Sequence, residues 1–77
     1  MMWKVTYDHF DQKPVLVRSS NWRDDVDTSD WIPFEMFDDD GNRMCAGLAS
    51  EEDFGPLDDY GMPNWGCTYI KFRGVIL

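Results

Sequence analysis

Ile32-Pro33-Phe34-Glu35-Met36-Phe37-Asp38-Asp39-Asp40-Gly41 is followed by Asn42-Arg43-Met44-Cys45-Ala46-Gly47-Leu48, and together they read as two strands joined by a tight turn. Ile32, Phe34 and Met36 alternate with Pro33, Glu35 and Phe37. Beyond the turn, Met44, Ala46 and Leu48 alternate with Arg43, Cys45 and Gly47. A period of two places one set of side chains on each face of a sheet. Asp40-Gly41 between the runs is a strong hairpin signal, because glycine supplies the positive φ such turns require. Pro33 has no N–H for the ladder and belongs at the strand's start or on an edge.

The same period appears on both sides of this hairpin. Trp3, Val5 and Tyr7 alternate with Lys4, Thr6 and Asp8, which predicts a half-buried first strand. Asp11 to Pro14 reads as a turn and Val15-Leu16-Val17 as a short strand. Ser19 to Asp30 lacks apolar periodicity and is expected to be a long loop, with one helical turn around Trp22 to Val26. Long loops in small domains are uncommon and often functional. Ser50-Glu51-Glu52-Asp53 suits the N-terminus of a one-turn helix that Gly55-Pro56 then stops. Asp58 to Gly66 reads as turns, and Thr68, Ile70 and Phe72 mark a last strand that Gly74 interrupts before Val75-Ile76-Leu77. The fold expected is mainly β, with α+β as the variant. It is a single domain over 1–77, an antiparallel sheet of four to five strands with long acidic loops and at most one short helix.

The chain has 77 residues, fifteen acids against seven bases, a formal net charge of −8, and 16% aromatic residues. Disordered chains combine high charge with few aromatics, so a folded domain is expected. A domain this small buries only about 60% of its unfolded surface, and large rings compensate for a small core. No apolar run resembles an export signal or a membrane span. Cys45 and Cys67 are too few for a disulfide scaffold, which points to reduced thiols in a cytoplasmic protein. If they face each other on neighbouring strands, oxidation can bridge them.

The residues that common chemistries need are missing. His9 is the only histidine, which excludes most triads and multi-histidine metal sites. No serine sits in a Gly-x-Ser-x-Gly elbow, no Cys-x-x-Cys occurs and no glycine-rich phosphate loop is present. Aligning Gly41 with the glycine of a calcium-binding EF-hand loop puts Met36 and Gly47 at two ligand positions, so Asp38-Asp39-Asp40 reads as an acidic hairpin tip. No enzyme, metal or cofactor is expected.

The distribution of acid remains. Twelve of the fifteen acids lie in four connecting segments: Asp24, Asp25, Asp27 and Asp30; Asp38, Asp39 and Asp40; Glu51, Glu52 and Asp53; Asp58 and Asp59. If these segments converge, they build one continuous negative surface. A compact chain of this length is about 30 Å wide, and duplex DNA carries about 18 phosphates over that span. Eight net charges are of the same order as the half that faces one side. Trp22 and Trp31 bracket the first acidic segment and Trp65 follows the last, where indoles serve as interface anchors. Direct nucleic-acid binding is not expected, because seven scattered cations make no basic stripe.

Two stretches carry a resemblance. Pro33-Phe34-Glu35-Met36-Phe37-Asp38-Asp39-Asp40-Gly41 and Pro56-Leu57-Asp58-Asp59-Tyr60-Gly61-Met62-Pro63-Asn64-Trp65-Gly66-Cys67-Thr68 resemble small acidic proteins of bacteria and their mobile elements. These carry an acidic hairpin and a PLDD-aromatic-G-x-PN-x-GCT segment. With Trp3-Lys4-Val5-Thr6, the likeness spans about half the chain. It implies no activity and transfers no site residues. In size and charge alone the chain is also similar to phage-encoded anti-CRISPR proteins, several of which mimic DNA. The function expected is a non-catalytic acidic inhibitor, a phage anti-CRISPR acting as a DNA mimic, that blocks a nucleic-acid-binding host complex through the twelve acids and three indoles above. The alternatives are a small binding domain whose acids serve solubility, and an immunity-type nuclease inhibitor.

Overall fold

The computed structural model describes residues 1–77. Six strands form one antiparallel sheet: β1 (Trp3–Asp8), β2 (Lys13–Arg18), β3 (Ile32–Asp38), β4 (Arg43–Ala49), β5 (Cys67–Phe72) and β6 (Val75–Ile76), in the order β2-β1-β4-β3-β5-β6. The sheet exceeds the four to five strands expected. Arg73 (φ 53°) and Gly74 (φ 81°) both adopt left-handed conformations, so the chain turns tightly and Val75-Ile76 pairs back on β5. Two consecutive positive-φ residues define the hairpin turn that follows the natural twist of paired strands.

The β3–β4 hairpin forms as the alternation and Asp-Gly predict, with Gly41 at φ 79°. Asp38 staples its tip. Its Oδ1 accepts from the Asp40 and Asn42 amides and its Oδ2 from the Asn42 side chain. Pro33 is the second residue of β3, where its missing donor costs little.

The inward face of β4 carries its small residues. Cys45, Gly47 and Ala49 point into the core, whereas Ala46 and Leu48 lie on the other face. The register explains it: Met36 pairs with Cys45, Phe34 with Gly47 and Ile32 with Ala49. Small residues on β4 make room for the large side chains of β3. In β1 the alternation holds for Trp3 and Val5 and then breaks at a bulge between Val5 and Tyr7. The bulge turns Asp8 inward and Tyr7 outward, because the extra residue shifts parity by one.

Helical structure also differs from expectation. Residues Ser50 to Asp53 are irregular, and the Ser50 hydroxyl accepts from the Met2 amide instead of capping a helix. Gly55-Pro56 begins the helix that it was expected to end. Pro56 (φ −59°) needs no N–H in a first turn. A π-helical turn, Leu57–Gly61, continues into α1 (Met62–Trp65), which stops at Gly66 in the left-handed conformation. No helical turn forms around Trp22 to Val26.

This helical segment covers one face of the sheet. Trp3, Val5, Phe34, Met36, Cys45, Ala49, Leu57, Cys67, Ile70 and Phe72 form the core between them. At Gly61 the helix touches the sheet so closely that a Cβ would lie 2.6 Å from Met36 Sδ and 3.3 Å from Cys67 Cβ. Glycine sets that approach. No helix is long and apolar enough to cross a membrane.

Candidate functional site

The strand directions place the acidic segments at two ends of the sheet. At the proximal end lie the starts of β1 and β3 and the ends of β2, β4 and β5. The loop between β2 and β3 and the segment after β4 therefore emerge there together. At the distal end lie the β1–β2 turn, the β3–β4 tip and the start of β5. Ile32 and Asp38 sit at opposite ends of one strand, about 20 Å apart at roughly 3.3 Å per residue.

The proximal end gathers Asp24, Asp25, Asp27, Asp30, Glu51, Glu52 and Asp53, all exposed. The chain's first residues join the two segments. Asn21 Nδ2 donates to the Met1 carbonyl, the Met1 ammonium lies 3.8 Å from Glu51, and the Ser50 amide donates to the Met2 carbonyl. Ser19 anchors the loop: its amide donates to the Trp3 carbonyl and its buried hydroxyl accepts from the Trp3 amide. Asp24 lies 4.0 Å from Arg18, and Asp25 lies 3.9 Å from Arg23. Asp27, Asp30, Glu52 and Asp53 form no ion pair within the chain. The Ser29 amide and hydroxyl hold the Asp27 carboxyl below its ordinary range, fixing its charge.

The other acids sit elsewhere. Asp38, Asp39 and Asp40 are at the distal hairpin tip, and the Asn42 side chain and amide hold the Asp38 carboxyl low. Asp38 is a turn staple first. Asp58 and Asp59 are exposed on the π-helical turn. The four segments thus form one main acidic end, one separate tip and one pair on the helix, in place of a single surface.

Two of the three indoles belong to the acidic end. Trp22 and Trp31 meet edge to face at 5.6 Å. Trp31 is buried, while Trp22 is half-buried under Lys4 and Arg18, which lie 5.9 and 5.2 Å from its ring centre, and its Nε1 donates to Asp24. Trp22 presents the acidic loop, and Trp31 holds it to the sheet. Trp65 lies at the distal end against Phe10 (5.9 Å), with its Nε1 shielded and without an acceptor.

Residues outside the acidic segments add two features. Asp8, 4% exposed, accepts from the Phe10 and Asp11 amides and closes the β1–β2 turn. Cys45 and Cys67 are buried free thiols on the two strands that flank β3. Interaction with the Cys67 thiol, then burial, pushes the Cys45 thiol up, and the same interaction draws Cys67 down. Their strands are not neighbours in the sheet. The burial of Asp8 has no signal in the sequence, because only the β1 bulge creates it. No family model, no curated protein and no solved structure matches the chain.

Proposed function

We propose that this chain is a non-catalytic inhibitor that docks its proximal acidic end on the basic, nucleic-acid-binding surface of a partner protein. The observation that carries the reading is the meeting of two acidic segments at Met1, with Asp27, Asp30, Glu52 and Asp53 left unpaired. Unpaired carboxylates on an anchored loop offer ready partners to arginine and lysine, and an excess of one sign at that end steers association. Trp22 supplies an aromatic contact within the same surface, a common source of interface affinity. Blocking follows from occupancy: cations that hold carboxylates are withdrawn from phosphates.

The test is affinity capture from a host lysate on the tagged chain, run in about 0.05 M and about 0.5 M salt, since screening shortens the range of exposed charges threefold across that interval. The captured protein should be lost at high salt, and its binding to nucleic acid should fall when the chain is added. Capture that ignores salt, or a partner whose nucleic-acid binding is untouched, contradicts the reading.

A further inference from the structure

The sheet face opposite the helix has its own character. Register places Lys4, Arg18, Arg43 and Lys71 on it, in a chain with only seven basic residues. The β2–β3 loop engages the first two of these through Trp22, Thr28 and Asp24. Over β3 and its neighbours the face is uncovered, and a groove of about 500 Å³ runs there, lined by Thr6, Pro33, Glu35, Leu48, Lys71 and Arg73. Glu35 is the groove's one carboxylate, and Arg43 holds it at 2.9 Å. Lys71 and Arg73 form no ion pair with any of the fifteen acids of the chain. An apolar floor thus meets two uncompensated cations on an otherwise acidic protein.

We propose that this groove binds an extended acidic peptide segment of a partner protein, a site distinct from the acidic end. An extended segment repeats its side chains on one face every two residues, at roughly 6.6–6.8 Å. Its apolar side chains rest on Leu48 and Pro33 while carboxylates reach Lys71 and Arg73. Charge complementarity selects this occupant. Single-stranded nucleic acid needs free ring faces for its bases to stack on. Here Phe37 and Tyr69 are stacked on each other, 5.1 Å apart and 6° from parallel, and Lys71 Nζ lies 4.9 Å over the Phe37 ring. A second copy laid face to face would oppose Lys71 and Arg73 with their own counterparts.

The experiment uses a fluorescein-labelled eight-residue peptide alternating glutamate with leucine, read by anisotropy at low salt. A lysine–leucine peptide and a ten-residue oligothymidylate serve as the other arms. The glutamate peptide should bind, the lysine peptide should not, and Lys71→Glu with Arg73→Glu should weaken binding by more than about tenfold. Amide chemical shifts of the unaltered protein should move at Thr6, Ala46, Leu48 and Lys71, which keeps the result independent of variant folding. Absence of glutamate-peptide binding, binding indifferent to charge reversal, or shifts confined to other residues overturns the proposal. So does preferential oligothymidylate binding, or a dimer by light scattering that the charge reversal dissolves. Failure here leaves the acidic-end reading intact, since that reading uses the opposite charge and other residues.

Discussion

Asp8 closes the β1–β2 turn. Its carboxylate is buried and receives two backbone donors from the turn that follows. Asp8→Ala leaves those donors without an acceptor, and we expect a loss of about 2–3 kcal/mol in chemical denaturation. Asp8→Asn retains a carbonyl oxygen and should lose less. His9, next in sequence, titrates below its ordinary value of 6.5, first through burial and then through the charge of Arg43, with Glu35 and Asp8 opposing. A histidine whose folded pKa is depressed binds its proton more readily when unfolded. Its contribution is therefore fully present above pH 6.5 and declines as pH falls below that value towards the folded pKa. Proton NMR of the imidazole should show a midpoint below 6.5, and Arg43→Gln should raise it. Neither role was legible in the sequence. Alternation placed Asp8 outward, and only the bulge brings it in.

Among the elements, the β3–β4 hairpin was read correctly because two independent signals, alternation and Asp-Gly, agree at one place. The inward face of β4 was hidden because cysteine, glycine and alanine give a weak hydrophobic signal while they accommodate Phe34 and Met36 across the ladder. The helix was hidden for a different reason. Gly55, Pro56, Gly61 and Pro63 all read as breakers, yet proline fits a first turn and Gly61 is where the helix presses on the sheet. Gly61→Ala tests that contact. Alanine raises helix propensity by about 1 kcal/mol in isolation, yet a Cβ here overlaps Met36 Sδ. We expect net destabilisation of about 1–3 kcal/mol by denaturant titration, the usual range for overpacking. A more stable variant would show that the helix sits further from the sheet.

At the scale of the molecule, the strand directions divide charges that sequence position alone leaves together. Composition revealed the excess of acid and its confinement to connecting segments, but which segments share an end depends on strand order. β2 lies at one edge and β3 is three positions further in, with β1 and β4 between, so the loop joining them crosses the proximal end beside the residues after β4. The distal tip, at the other end of β3, is left apart. This division separates a located binding surface from general acidity. Converting Asp27 and Asp30 to Asn removes two charges at the proximal end, and converting Asp39 and Asp40 to Asn removes the same number at the tip. The deciding measurement is the association rate of each double variant with the captured partner at low salt. We expect a fall of about tenfold or more for the proximal pair and less than about twofold for the tip. Equal losses would contradict it, because they would make net charge, and not its place in the fold, the determinant of binding.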